Sequence, residues 1–394
     1  MDILAQINKE LCNGCAACVN ICPYGAIQMK TDELGFVYPD INDAVCVQCG
    51  KCVTACNATQ EMVLNVPVKA FAAAHREKAV LCASASGGVF SAVAEQVLEQ
   101  GGAVCGCVYD DDLKPIHICA EKKEDYLRMR RSKYLQSDVG LVYQEIKKRL
   151  KNGQTVFFSG TPCQVAALYA VVGRQTTNLI TADLICHGVP GYEMFKRFIR
   201  YLENKYQTKI TDFNFRSKQY GWQRFTAEFT DANGRKQNIG KVEEFYLAAF
   251  TAGNIMRPSC FSCRFATDRR IGDITLGDFW GYEVVDLPFN VTKGNSVCLL
   301  NTSRGMALLP FLSERMYVKE IDCNVAVAGN TCLRHPTPKG EKWEMYMQAF
   351  KDNEIDRVAL QYCARNKRRV WKERLKLWIP GRLFVYLKRR QKRR

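Results

Sequence analysis

A mixed α/β (α+β) unit behind a small cysteine-rich one is the architecture that the 394-residue sequence predicts, and three observations predict it. From about residue 86 to 280, short apolar runs ended by turn residues alternate with apolar residues at helical spacing, the pattern of strands feeding helices. Eight of the twenty cysteines stand in two runs near the N-terminus. Between Arg365 and Arg394 fourteen Lys or Arg face one acid, Glu373, so thirteen of the sixteen net positive charges belong to a tail and the body is nearly neutral.

Composition narrows the class further. At 47% apolar and 24% charged residues the chain is an ordinary globular one, with room for two or three compact units. No apolar run reaches the ~18 residues of a membrane span, and Met1 to Glu10 lacks a signal-peptide layout, so a cytoplasmic protein is expected. Twenty cysteines in that compartment argue for metal ligation and against a disulfide scaffold. A near-neutral body offers no extended basic groove, so nucleic acid is not an expected partner.

Cys12, Cys15, Cys18 and Cys22 follow C-x2-C-x2-C-x3-C-Pro, and Cys46, Cys49, Cys52 and Cys56 repeat the spacing 34 residues later. Successive thiolates at two-residue spacing wrap one face of an iron-sulfur cube, and the fourth cysteine of each run ligates the other cluster. One 4Fe-4S cluster is therefore assigned to Cys12, Cys15, Cys18 and Cys56, the second to Cys46, Cys49, Cys52 and Cys22. Residues 1–61 resemble a bacterial dicluster ferredoxin, with Asn57 where Pro23 stands in the first run.

Asn65 to Lys69, containing Pro67, reads as a linker. Ser86-Gly87-Gly88 then opens a helix marked by Val89, Phe90, Val93, Ala94, Val97 and Leu98, with Gly101-Gly102 as its stop. Bare amides at such a helix start suit an anion, as they suit a tight turn with no ligand. Ala103 to Asp110 reads as a strand. Ser132-Lys133-Tyr134-Leu-Gln136-Ser137 precedes a helix marked by Val139, Val142, Tyr143, Ile146 and Leu150, and its cation and hydroxyls could hold a second phosphate or the edge of a ring cofactor.

Val156 to Phe158 is a buried strand, Thr161 an N-cap and Pro162 a first helical residue, which puts Cys163 in the first turn of a helix, where the dipole favours thiolate. Residues 178–186 form another apolar strand ending in Cys186-His187-Gly. Phe213 to Lys218 and Arg224 to Thr230 read as strands, with Asn233-Gly234 a hairpin turn. Cys260 and Cys263 form a C-x2-C pair, and Asp273 to Asp278 is a strand running into a glycine-bracketed acid. Cys163, Cys186, Cys260 and Cys263 could close a third cluster or a zinc site, and spacing does not choose between them. His187 is a further candidate ligand beside them.

Ser-Gly-Gly-Val-Phe at 86–90, Ser-Lys-Tyr at 132–134, Phe-Ser-Gly-Thr-Pro-Cys-Gln at 158–164, Cys-His-Gly-Val-Pro at 186–190, Ser-Cys-x2-Cys at 259–263 and Asp-Ile-Thr-Leu-Gly-Asp-Phe-Trp-Gly at 273–281 occur in this order. With Lys293-Gly-Asn-Ser296 and Asn301-Thr-Ser-Arg-Gly305, they make residues 70–310 resemble the family of coenzyme F420 hydrogenase/dehydrogenase beta subunits. The resemblance implies a flavoprotein unit that binds FAD and a 4Fe-4S cluster and passes electrons between iron-sulfur centres and a hydride acceptor or donor. It implies that the third site is a 4Fe-4S cluster on Cys163, Cys186, Cys260 and Cys263. The candidate cofactor contacts it marks are Ser86, Gly87, Gly88, Ser132, Lys133, Tyr134, Gln136, Ser137, Thr161, Gln164 and Asp278. Bacterial proteins of this layout are often encoded among polysaccharide-biosynthesis genes, which leaves the substrate open. His117, Lys133 and His187 are the candidate catalytic groups, as titratable residues in or near the motifs. Cys82, Cys105, Cys107 and Cys119 fall outside the motifs and are expected to be core fillers.

The expected units are 1–61, a dicluster domain; 70–150, the FAD-contacting part; 151–340, the part with the third cluster; and 341–394, a basic amphipathic tail. In the tail Val370, Trp371, Leu375, Trp378 and Ile379 form an apolar stripe before Pro380, resumed by Leu383, Phe384, Tyr386 and Leu387. Basic residues beside tryptophans and leucines suit an anionic membrane surface. The sequence thus points to an iron-sulfur flavin oxidoreductase with a redox partner protein and a small-molecule acceptor. The rival is a non-catalytic electron-transfer subunit.

Overall fold

The computed structural model describes residues 10–240 and 243–392. The reading of the first nine residues and of Arg393 and Arg394, and in the tail the side chains of residues 363–370, 373, 374, 377 and 392, Val370 among them, lie outside the described residues.

Among the described residues thirteen strands form three sheets: β1 (Ile27–Thr31), β2 (Val37–Ile41), β3 (Lys69–His75), β4 (Ala103–Tyr109), β5 (Pro115–Ala120), β6 (Val156–Gly160), β7 (Leu179–Leu184), β8 (Ile210–Ser217), β9 (Thr226–Asp231), β10 (Lys236–Asn238), β11 (Ile274–Asp278), β12 (Ser296–Leu300) and β13 (Met316–Ile321). The central sheet has the order β13-β3-β12-β11-β7-β6-β4-β5. Its middle is parallel, β4 to β6 to β7 to β11, and antiparallel strands close both sides. Parallel strands buried on both faces read as continuous apolar runs, as Val156-Phe157-Phe158 does. Helix Val89–Glu99 packs Val89, Val93 and Val97 on one face with Phe157 and Ile274, whereas helices Val142–Lys151 and Pro162–Val172 cover the other with Tyr143, Ile146 and Val165.

The second sheet, β10-β9-β8, shares a core with helices Tyr192–Tyr206, Phe245–Thr251 and Trp343–Lys351. That core includes Tyr346, Phe350, Ile355 and Val358, so residues expected to open the tail belong to the body. Beyond it, helix Ile355–Leu377 and helix Gly381–Lys392 break around Pro380.

The ferredoxin-like unit, with the β1-β2 hairpin and helices Ala17–Ile21 and Lys51–Thr54, is packed onto this body. Ala16, Ala17 and Ala55 share a core with Val165, Ala166 and Tyr169. Arg257, 1% exposed, donates Nε to the Cys12 carbonyl (2.6 Å), Nη2 to that of Val37 (2.9 Å) and Nη1 to Oε1 of Gln136 (2.9 Å). Gly14 lets them approach: at φ +62° a side chain there would collide with Gln136, Val37 and Arg257. The expected linker is pinned as well, since Asn65 and Arg270 exchange backbone hydrogen bonds of 2.7 and 2.8 Å.

Two cysteine expectations are corrected. Cys105 and Cys119 face each other across β4 and β5 and form a disulfide, because the register places them opposite one another. Cys82 is exposed, and Cys107 borders a cavity, so neither is a core filler.

Candidate redox site

The carboxyl ends of β6, β7 and β11 open into a cavity of about 550 Å³, the position where open α/β sheets bind ligands. The last residues of these strands and the loops after them supply Ser159 to Thr161, Leu184 to Val189 and Asp278 with Trp280. The start of helix Val89–Glu99 forms another wall through Ser86, Gly88 and Ser91. Thus Ser86, Gly88, Ser132, Lys133, Tyr134, Ser137, Thr161, Gln164 and Asp278, scattered over 193 residues of chain, all border one space, and so do His117 and His187.

Local structure explains several placements. Thr161 caps helix Pro162–Val172 in a capping box closed by Gln164, whose Nε2 also donates to Ser137 Oγ at 2.9 Å. Gly87 is wedged between strands, where a Cβ would overlap the Ala73 carbonyl and Ser296, and its amide donates to Ser296 Oγ at 2.7 Å. Ser86 Oγ donates to the Asn295 carbonyl at 2.8 Å, and Lys218 Nζ donates to the carbonyls of Ser86 (2.6 Å) and Leu81 (2.8 Å). Lys218 and Ser296 therefore hold the turn that leaves the helix start facing the cavity.

Other expected contacts are committed elsewhere. The Lys133 ammonium donates to the carbonyls of Arg128, Met129 and Arg130 at 3.0–3.3 Å, ending helix Lys123–Met129, and burial lowers its pKa to about 8. Gln136 turns from the cavity to Arg257 and to the Asn13 carbonyl (2.9 Å). Asp278 is ion-paired with buried Arg216 and accepts from Trp222 Nε1 at 3.1 Å. His117 stacks on Phe158, and burial lowers its pKa to about 4, against a raising effect of the Ser159 backbone. His187 holds Thr251 O and Thr337 Oγ1, each at 3.2 Å, and its pKa too is lowered by burial.

Cys163 in the first turn of helix Pro162–Val172, Cys186 after β7, and the Cys260 and Cys263 pair lie within electrostatic reach of one another at the edge of this cavity, which Cys186 borders: Cys163 and Cys260 feel Cys263, and Cys186 feels all three. The expectation that the helix dipole makes Cys163 a thiolate is corrected: burial dominates and pushes the thiol up to about 11, against a lowering by Thr161. Such thiols stay protonated unless a metal replaces the proton. Among the described residues no three His, Cys, Asp or Glu side chains converge as ligands of a single metal ion would. A four-iron cube asks for something else, one thiolate at each of four separate corners. The Arg257 guanidinium lies near Cys163 and Cys260, where it would offset the negative charge of such a centre.

In the ferredoxin-like unit Cys18 feels Cys12 and Cys56, the grouping that spacing assigns to one cluster, and also Cys52 of the other. Cys15 feels Cys163, so this site and the third one are neighbours. Cys49 is exposed, which puts the remaining cluster site at the surface.

Known families match three stretches of this chain. The coenzyme F420 hydrogenase/dehydrogenase beta subunit matches in two parts, N-terminal over residues 70–142 and C-terminal over residues 153–324. The chain belongs to this family of beta subunits. A 4Fe-4S dicluster domain matches residues 11–59 in front of it. Among relatives of the family, a subunit of the F(420)H(2) dehydrogenase of Methanosarcina mazei is 26% identical over 200 residues, 47% of this chain and 55% of that protein. An uncharacterised protein of Methanocaldococcus jannaschii is 28% identical over 201 residues, 43% of this chain and 54% of its own length. The chain thus spans about half the length of the curated relatives it matches. Among solved structures, a chain of the F420-reducing NiFe hydrogenase complex from Methanosarcina barkeri, studied by xenon derivatisation, is 17% identical with a TM-score of 0.45, covering 77% of this chain and 93% of that one.

The sequence reading missed Arg216, Lys218, Arg257 and Ser296 as parts of the site's framework. Of these, Ser296 alone lies in one of the motifs that carry the family resemblance, and no local signal marks a lone basic residue as a buried hub.

Proposed function

We propose that this relative of the beta subunits is an iron-sulfur flavin oxidoreductase, moving electrons through three 4Fe-4S clusters to FAD and on to a small hydride acceptor, F420-like or another. The observation that carries the reading is that Cys186 of the third set borders the same cavity as the start of helix Val89–Glu99. A cluster supplies single electrons, a hydride acceptor takes two, and a flavin converts between them. Within the cavity the helix start would bind pyrophosphate through free amides, while Ser132, Tyr134, Ser137 and Thr161 supply hydroxyls for the ring and ribityl parts. Its size suits a bound small molecule and favours this reading over a purely electron-relaying subunit. A redox partner protein would meet the exposed Cys49 side.

The tail fits peripheral contact with an anionic membrane. Trp371, Leu375, Trp378, Leu383, Tyr386 and Leu387 are exposed, while Phe384 lies under Arg224 and Val385 packs on the body. Among the described residues no helix is long and apolar enough to cross a membrane.

Anaerobic purification with iron, sulfide and flavin analysis, followed by an acceptor screen, tests the proposal. About twelve irons and bound FAD are expected, and Cys260→Ser with Cys263→Ser should remove about four irons while the ferredoxin-like clusters survive. Unchanged iron, zinc in its place, or full clusters without any flavin binding would overturn it.

A further inference from the structure

Asn57, 5% exposed, lies where the ferredoxin-like unit meets the α/β body. Its Nδ2 donates to Cys15 Sγ at 3.5 Å and to the backbone carbonyl of Cys163 at 2.8 Å. Its Oδ1 accepts from Asn13 Nδ2 at 2.6 Å, and Arg264 Nη1 donates to its backbone carbonyl at 3.2 Å. Proline, which fills the corresponding place as Pro23 after the first cysteine run, could make none of the side-chain contacts. One amide group therefore joins a ligand residue of the first ferredoxin-like cluster to a ligand residue of the third.

We propose that Asn57 is a positioning residue for electron transfer between these two clusters, joining them through its paired hydrogen bonds and setting the potential of the first. The inference rests on the three-cluster reading above. An N–H donor on a ligand sulfur stabilises the reduced, more negative cluster more than the oxidised one, and so raises its potential. The second bond fixes the Cys163 backbone against the same amide, so the route between the ligand residues consists of two hydrogen bonds through one buried side chain. In the step itself one electron leaves the first cluster, which is oxidised by one, and enters the third, which is reduced by one. The reduced redox partner protein would replenish it through the Cys46–Cys49–Cys52–Cys22 cluster. No bond to Asn57 breaks and no proton moves.

The test is an EPR-monitored redox titration of the full chain, purified anaerobically, as wild type, Asn57→Leu and Asn57→Ala. Leucine keeps the bulk and removes every polar side-chain contact; alanine also removes the bulk, so that overpacking is not at issue. Both variants should keep about twelve irons. The one-electron equilibrium between the first and third clusters should shift about tenfold against reduction of the first, about 59 mV, with the Cys46–Cys49–Cys52–Cys22 cluster unmoved. On rapid mixing with dithionite, reduction of the third cluster should lag behind that in the wild type. Unchanged potentials in an iron-replete variant would overturn the proposal. Loss of the first cluster's iron from both variants would also overturn it, by assigning Asn57 to assembly and not to potential. Failure of the three-cluster reading is distinct, because it appears in the wild-type protein as about eight irons.

Discussion

Replacing Asp183 by alanine should loosen the scaffold of the third cysteine set. Asp183 lies one residue before the end of β7 and three before Cys186, and Arg270 follows Cys263 by seven residues; both are buried, at 0% and 1% exposure. The carboxylate takes Arg270 Nη2 at 2.8 Å on Oδ1 and the amides of Ile271 and Gly272, at 3.1 and 2.9 Å, on Oδ2. Arg270 in turn donates to the carbonyls of Phe265, Thr267 and Leu184 at 3.0–3.1 Å, tying the C-x2-C loop to the β7 end. Alanine leaves a buried guanidinium without countercharge, which costs about 3–5 kcal/mol, and two orphaned amides push the loss toward the upper part of that range. Asp183→Asn keeps the shape and one acceptor oxygen and should lose less. Urea unfolding of the α/β body, read beside iron content, is the assay: Asp183→Ala should show the stability loss and shed about four irons first. A change below about 1 kcal/mol with full iron retention would refute the reasoning, because exposed pairs lose no more than that.

The other predictions concern acid, flavin and lipid. His117 has its folded pKa lowered to about 4 by burial, against 6.5 ordinarily, so the folded state binds the proton less tightly than the unfolded one; its stabilisation is complete above pH 6.5 and lost toward pH 4, by up to about 3 kcal/mol. Urea midpoints at pH 7 and 4.5 should show a smaller acid loss in His117→Gln, and equal losses would exclude His117 as a source. Gly88→Asp places a carboxylate at the start of helix Val89–Glu99 and should abolish flavin retention while the ferredoxin-like clusters keep their iron; a full visible flavin spectrum would move the site elsewhere. Truncation after Ala364 should leave clusters and flavin in place and weaken binding to anionic vesicles, from which salt should release the intact protein; equal binding by both forms would rule out the membrane role.

What the sequence determined by itself was local. Cysteine spacing identifies a dicluster unit because the ligands of each run sit within one turn-and-helix segment, and Thr161-Pro162 marks the start of a helix because capping depends on neighbours in the chain. The apolar runs at 156–158 and 179–184 are strands because nothing but burial suits them. Tertiary structure decided what each polar group is free to do. Lys133 has a cation's sequence but spends its ammonium on three carbonyls, and Gln136 is drawn from the cavity by Arg257, 121 residues away. Cys105 and Cys119 bond because a hairpin register sets them opposite, and burial pushes the Cys163 thiol up against the dipole that its helix supplies, so that it takes a metal to displace the proton. Asn57 looked like a blemish in a ferredoxin repeat, and its partners Cys15 and Cys163 meet only when the two units pack. Hydrogen bonds and desolvation act through space over a few ångströms, whereas spacing records only distance along the chain, so the fold alone assigns these partners.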